Sequence, residues 1–247
     1  MFLVAGMASC AQRQPIDNEG SKKTTAYQAR IPDPNLNPYQ VAFLIMDGVY
    51  NTELTAPYDI FHHTVFRDSI RPMQVFTVAQ FDRPVVTFEG LRILPDYTFD
   101  SDEMPKIDIL VVPSAEFHLD KDLENETMLE FIRKASAKAE YVTSHCDGAF
   151  VLAKAGILNG VVSTTFPSDI DAYKKMFPKL EVISDVLFVH DGKYITSAGG
   201  AKSFEASLYL AELLYGKKVA KQLAKGLVID WDLNKIDFIK VENKLSN

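Results

Sequence analysis

Six consecutive apolar residues, Val41 to Met46, give way abruptly to Asp47-Gly48. A run of that length with no polar position reads as a strand covered on both faces. The spacing of Leu54, Tyr58, Phe61 and Val65 then predicts a helix, with Pro57 tolerated in its first turn. Gln74–Ala79 reads as a second strand, and Val85–Leu94 as a hairpin-like excursion turning at Glu89-Gly90. Ile107–Val112 is another buried strand, stopped by Pro113, and a helix is expected over about Leu123–Lys138. Tyr141–Ser144 is the next strand and Gly148–Leu158 the next helix, ended by Asn159-Gly160. Val161–Thr165, Val182-Ile183, Val186–Val189 and Tyr194–Thr196 read as short strands, the last two joined at Asp191-Gly192. Ser203–Tyr215 and Val219–Leu227 supply two further helices, and the charged tail after Trp231 holds no further periodic element long enough to make a second domain. This alternation predicts an α/β fold, a flavodoxin-like, mostly parallel sheet sandwiched by helices.

Ahead of Gln40 the pattern is lost. Ala11 to Tyr39 is polar and holds Pro15, Gly20, Pro32, Pro34 and Pro38, the composition of a flexible linker. The domain is therefore expected over residues 40–247. Residues 1–10 differ again: Phe2 to Ser9 is apolar and small, and Cys10 follows. This stretch resembles the end of a bacterial lipoprotein signal, with Cys10 as the lipidated residue, although no positive segment precedes it. On that reading the protein is lipid-anchored in the bacterial cell envelope, with residues 11–39 as a spacer. The other reading is a random apolar N-terminus or a buried first strand, on a cytoplasmic protein.

Composition narrows the function. Apolar residues make up 47% of the chain and charged ones 24%, as in ordinary globular domains. The net charge of −7, with Lys and Arg scattered, gives no footprint for nucleic acid. No apolar run approaches the ~20 residues that span a bilayer, so membrane contact is expected only through an anchor at Cys10. Cys10 and Cys146 lie in such unlike contexts that no disulfide framework is suggested.

The chemistry concentrates at Cys146. It stands in Tyr141-Val142-Thr143-Ser144-His145-Cys146-Asp147-Gly148, between a strand and a small-residue helix start. A thiol on such a nucleophile elbow faces outward beside the partial positive charge of a helix N-terminus, which favours thiolate. In open parallel sheets, sites lie beyond the carboxyl ends of the strands. The neighbouring strand ends lead to Glu53 and to Pro113-Ser114-Ala115-Glu116-Phe117-His118.

Four stretches carry a family resemblance: Phe43–Phe61, Ile107–Ala115, Ser144–Thr165 and Ile195–Tyr215. In this order they resemble the ThiJ/PfpI superfamily, related to class I glutamine amidotransferases. The branch that matches best contains isonitrile hydratases and the amidase-like domains of AraC-type regulators. The resemblance implies that Cys146 is the nucleophile and that Glu53 is the acidic residue approaching its sulfur. It also implies that the backbone amides of Ala115 and Asp147 form the oxyanion hole. A homodimer is implied as well.

The chain departs from the family where many relatives place a histidine: Asp147 follows the cysteine and Phe166 follows Thr164-Thr165. A Cys-His dyad of either kind is missing, which argues against peptidase and amidotransferase chemistry. The family's Gly-Gly after the proline is Ser114-Ala115. Strand alternation turns His145 away from the Cys146 side chain. His118 reads either as part of the pocket mouth or as an exposed loop residue. Phe166 with Phe117 reads either as an apolar pocket wall or as core. His62-His63 and His190 lack ligand spacing, so no metal is expected, and no cofactor is called for.

Two functions fit. One is a cysteine-dependent enzyme acting on a small electrophilic substrate, hydratase/lyase- or hydrolase-like, with Glu53 moving protons. The other is a non-catalytic ligand-binding or redox-sensing domain. A DNA-binding module is not expected in the residues after the last helix.

Overall fold

The sheet is built outward from β1 (Tyr39–Leu44), whose Val41–Leu44 are completely buried. After it come α1 (Asn51–His62), β2 (Met73–Ala79), β3 (Val85–Val86), β4 (Arg92–Ile93), β5 (Tyr97–Thr98) and β6 (Ile109–Val112). The chain continues through α2 (Glu126–Lys138), β7 (Tyr141–His145), α3 (Gly148–Lys154), β8 (Val162–Ser163), α4 (Ile170–Met176) and β9 (Glu181–Val182). It closes with β10 (Phe188–Asp191), β11 (Tyr194–Ser197), α5 (Ser203–Tyr215), α6 (Lys217–Gly226) and β12 (Phe238–Val241). This computed structural model describes residues 30–242. The lipidation expected at Cys10 and most of the expected linker lie outside the described residues.

Among the described residues eight strands form one sheet in the order β12-β10-β11-β7-β6-β1-β2-β5, with the β10–β11 hairpin its one antiparallel pair. The mostly parallel α/β architecture is thus the one the pattern predicts. Alternation along each strand divides the core. Phe43, Val111 and Ile195 face α1, α5 and α6, while Leu44, Leu110 and Val142 face α2 and α3.

Several boundaries differ from expectation for local reasons. The second helix begins at Glu126, where the Asn125 side chain caps it by accepting the Met128 N–H at 3.1 Å. Leu123 sits before that cap, in a separate 3-10 turn. α3 stops at Lys154, and Gly156 takes a left-handed φ of 80° where the helix was expected to continue. α4 buries only Ile170 and Tyr173, too few positions for a visible period. β12 lies in the charged tail after Trp231, where the pattern predicts no strand. It pairs parallel to β10, with Phe238 stacked on Phe188 at 4.8 Å. Residues 34–36, expected as linker, form a 3-10 turn capped by Asp33, and Tyr39 already belongs to the sheet. The folded unit extends from Ile31 onward.

The connections at the carboxyl edge are stitched together. Tyr50 N–H donates to the Ser114 carbonyl and Glu116 N–H to the Gly48 carbonyl, each at 3.0 Å. These bonds hold the loops after β1 and β6 side by side, next to the end of β7.

Candidate active site

Cys146 is the residue that ends β7 and precedes α3, and its φ is 53°. A non-glycine residue in that region costs about 1–2 kcal/mol, so the surroundings must impose it. They do so through two close approaches. A Cβ on Gly148 would stand 2.2 Å from the Val112 carbonyl oxygen, and one on Gly199 would stand 2.3 Å from the Cys146 Cβ. Only glycine lets the elbow sit against β6 on one side and against the chain after β11 on the other. The Cys146 N–H donates to the Ser197 carbonyl at 3.0 Å and completes the clamp.

The thiol is not the exposed thiolate that its position beside a helix start suggests. It is buried, at 7% exposure. Burial pushes its pKa well above the ordinary thiol value, and the neighbouring charges of Asp147 and Glu53 push the same way. The Ser114 hydroxyl and the Asp147 N–H act in the opposite direction, and burial outweighs them. The partial charge at the start of a seven-residue helix does not reverse this balance. The resting group is a neutral thiol.

Two carboxyl groups flank it. The thiol donates to Asp147 Oδ2 at 3.7 Å. The Thr165 hydroxyl lies 3.1 Å from both Asp147 Oδ1 and the Cys146 carbonyl oxygen, tying side chain and elbow together. Burial raises the Asp147 pKa to about 6, and the Asp169 charge adds to the rise. Glu53, buried in the first turn of α1, accepts the Gly200 N–H at Oε1, 3.0 Å. Its pKa is raised by burial and held back by its hydrogen bonds. Glu53 thus reaches the segment packed on Cys146, and its charge is felt at the sulfur. Asp147 supplies the direct contact.

The expected oxyanion donors divide. The Asp147 N–H points to the sulfur, as its effect on the thiol shows. The Ala115 N–H does not serve: it donates to His118 Nδ1 at 3.0 Å. That bond also corrects both readings of His118, which is fully buried behind the loop and held neutral, with its pKa down to about 3 because of burial. The Ser114 hydroxyl, from the residue before Ala115, lies beside the sulfur instead. It is fully buried, has no nitrogen or oxygen partner among the described residues, and acts on the sulfur. His145 is buried on the other face of β7 against Ser197, Nδ1 to Oγ 3.1 Å, away from the thiol as alternation predicts.

Phe166 follows Thr165 at 37% exposure and contributes to the surface near the elbow. Phe117 does not join it: the Lys121 ammonium lies 3.1 Å above the Phe117 ring, which lines a separate cavity of about 190 Å³ with Met46, Phe81 and Phe99. A residue missed in the sequence is Tyr50. Burial raises its phenol pKa, and so do the charges of Cys146, Glu116, Asp147 and Glu53, which places its hydroxyl among them. Its ring packs on Phe88 of the β3–β4 hairpin, with centroids 4.7 Å apart. The Asp147 carboxylate and Thr165 were also missed as chemistry. The Thr164-Thr165 pair was the available signal. Among the described residues no group of three His, Cys, Asp or Glu side chains is placed to hold a metal ion.

Comparison with known proteins agrees with this architecture. The profile of the DJ-1/PfpI family matches residues 39–213. Isonitrile hydratase of Pseudomonas putida is 34% identical over 183 residues, covering 74% of this chain and 75% of that protein. The HTH-type transcriptional regulator GbdR of Pseudomonas aeruginosa is 23% identical over 220 residues, covering 89% of this chain and 59% of the regulator. Among solved structures, a ThiJ/PfpI family protein from Pseudomonas syringae superposes with a TM-score of 0.69 at 24% identity. That match covers 88% of this chain and 83% of the other, and it concerns the fold.

Proposed function

The chain belongs to the DJ-1/PfpI family, and on that premise we propose that it is a cysteine-dependent enzyme acting on a small electrophilic molecule, hydratase/lyase- or hydrolase-like. The observation that carries the reading is a strained, clamped elbow whose neutral thiol donates directly to a carboxyl group. A buried thiol kept neutral is protected until a substrate arrives, and it needs a base at the moment of attack.

The likeness to an isonitrile hydratase supports an isonitrile as the first substrate to try. The Cys146 sulfur would bond to the terminal carbon, which takes up a proton and becomes a thioimidate. Water then adds to that carbon. Cleavage of the C–S bond returns the thiol and releases an N-substituted formamide. Ser114 Oγ–H and the Asp147 N–H stand where charge gathers near the sulfur, and such donors are worth ~3–4 kcal/mol each in well-studied enzymes. Glu53 moves protons on the side of the site bounded by Gly199-Gly200. Aldehydes and α-oxoaldehydes are open to the same attack.

The test is a screen of isonitriles and α-oxoaldehydes with Cys146→Ser as control. Turnover that requires Cys146 is expected. Saturable binding without turnover of any electrophile would instead favour the ligand-binding alternative, to which the regulator relative lends some support. Redox sensing is less well supported, because oxidants react with the thiolate and the thiol here is buried and neutral. An envelope location through Cys10 is a separate part of the proposal, resting on the Phe2–Cys10 run. Labelled palmitate incorporated by the wild type and lost in Cys10→Ala would support it.

A further inference from the structure

We infer that the carboxylate of Asp147, and not that of Glu53, is the base that takes the Cys146 proton, and that Thr165 is its positioning residue. The inference rests on the cysteine-enzyme reading and assigns a role within it.

The geometry separates the two carboxyl groups. Asp147 Oδ2 is the acceptor of the thiol at 3.7 Å, and no comparable bond joins the thiol to Glu53 among the described residues. Glu53 Oε1 is already engaged by the Gly200 N–H. Asp147 is the residue next to the nucleophile, so its carboxylate can reach the sulfur only if something turns it back. Thr165 does this. Its hydroxyl sits between Asp147 Oδ1 and the Cys146 carbonyl, leaving Oδ2 for the thiol. All three residues are buried. The position next to the cysteine, where many relatives carry a histidine, thus still holds a proton acceptor, of a different chemical kind.

The step balances within the site. As sulfur forms the C–S bond, the S–H bond breaks and its proton passes to Asp147 Oδ2. The substrate's electron pair moves onto an atom of the substrate. Asp147 then returns the same proton to that atom and is again a carboxylate. Other ionisable groups bear on Asp147: Asp169 from the turn before α4, Glu53 from α1, Tyr50 ahead of α1 and the thiol itself. Burial is the main reason Asp147 titrates near 6 and not near 4, and the charges of the first two, both carboxylates, add to the rise.

The experiment is the rate of Cys146 alkylation by iodoacetamide between pH 5 and 10, followed by mass spectrometry of the intact full-length protein. The wild type should show a step near pH 6, where Asp147 ionises and begins to accept the proton, beneath the rise from the thiol's own titration at high pH. In Asp147→Asn the step near 6 disappears, and the high-pH rise moves to lower pH because a negative charge has been removed. Thr165→Val keeps the step but shifts it upward, since the hydrogen bond that stabilises the ionised carboxylate is lost. Glu53→Gln leaves it within a few tenths of a pH unit. A step that survives in Asp147→Asn, or one that vanishes in Glu53→Gln, overturns the inference. Circular dichroism of each variant establishes that it is folded. The readout needs no substrate: failure of the substrate screen would sink the enzyme reading while leaving this profile interpretable.

Discussion

Gly148→Ala tests whether the elbow is held by backbone contact. Gly148 is the first residue of α3 and has an ordinary φ, so the substitution adds a methyl group without left-handed strain. Taken alone, Gly to Ala in a helix gains up to about 1 kcal/mol. Here the new Cβ would lie 2.2 Å from the Val112 carbonyl oxygen and 3.1 Å from its carbon, with the Pro113 oxygen at 3.2 Å. All three are backbone atoms of β6 and the residue after it, and none can swing aside as a side chain would. Relief requires α3 to back away by about 1 Å, an overpacking cost of ~1–3 kcal/mol that outweighs the propensity gain. Net of that gain, a loss of ~1–2 kcal/mol at about 2–4 °C per kcal/mol is a fall in Tm of about 2–8 °C. Gly226→Ala is the matched control. Its Cβ would meet only the end of the Arg67 side chain at 3.6 Å, so Tm should hold or rise slightly. Calorimetry of the two variants decides the matter. If Gly148→Ala melts at or above the wild-type temperature while Gly226→Ala behaves as stated, the clamp is not what fixes the elbow.

The buried histidines give an acid dependence. Below pH 6.5 the unfolded chain protonates His118 and His145, while the folded protein keeps both neutral down to about pH 3. Each therefore removes about 1.4 kcal/mol of stability per pH unit as pH falls through that window. Asp122 and Asp147, raised to about 6, work in the opposite direction and mask the effect in the wild type. Relative to wild type, His145→Gln should change the slope of urea midpoint against pH between 6.5 and 5 by one proton's worth, toward greater stability at the acid end; parallel curves would contradict the assignment. The β3–β4 excursion exposes Phe81, Val86, Phe88, Leu91 and Leu94, more clustered apolar surface than a solvated hairpin needs. If it is the face of a homodimer, light scattering should find a dimer for the wild type and a monomer for Leu91→Asp; an unchanged mass excludes this face. The carboxylates Glu53, Glu89, Glu116, Asp147 and Asp169 all figure in the electrostatics of the site, and no Lys or Arg is among the main influences on Cys146 or Glu53. A neutral α-oxoaldehyde should therefore be preferred over one bearing a carboxylate by at least about tenfold in kcat/KM, or ~1.4 kcal/mol. Equal turnover would refute that.

The fold was legible where burial is two-sided. Val41–Leu44 of β1 and all of β6 are enclosed, so each appears in the sequence as an unbroken apolar run that no amphipathic helix would show. The amphipathic period of α2 was equally plain. What escaped was short or peripheral. β12 joins the sheet edge with its central residues exposed, and α4 buries one side chain per turn. Neither has a hydrophobic pattern distinct from a loop. Both are fixed by tertiary partners, β12 by β10 and by the Phe188–Tyr209–Phe238 rings.

The active site shows a different limit. Strand-to-helix position marked Cys146, because an elbow is a local feature of the chain. The charge on its sulfur is not local: it depends on enclosure and on carboxylates that arrive from elsewhere, and enclosure wins. A helix start read in isolation gave the sign of one small influence and missed the larger opposing one. The same reasoning separates the two roles of Asp147. Its backbone N–H points at the sulfur because residue i+1 of the elbow must, whatever its side chain. Its carboxylate turns back only because Thr165, eighteen residues later, holds it. A sequence can therefore nominate the amide by position, whereas the carboxylate becomes visible only when the loop after β8 is laid beside the end of β7. Ala115 is the converse case. Its position matched an oxyanion donor, yet a histidine three residues on captures its N–H. Beside the Asp147 N–H, the donor at the sulfur is the Ser114 side chain, and Ser114 stands where the family resemblance places glycine. Substitutions that looked like losses at 114 and 147 have each put a polar side chain against the nucleophile, and that pairing is what the enzyme reading stands or falls on.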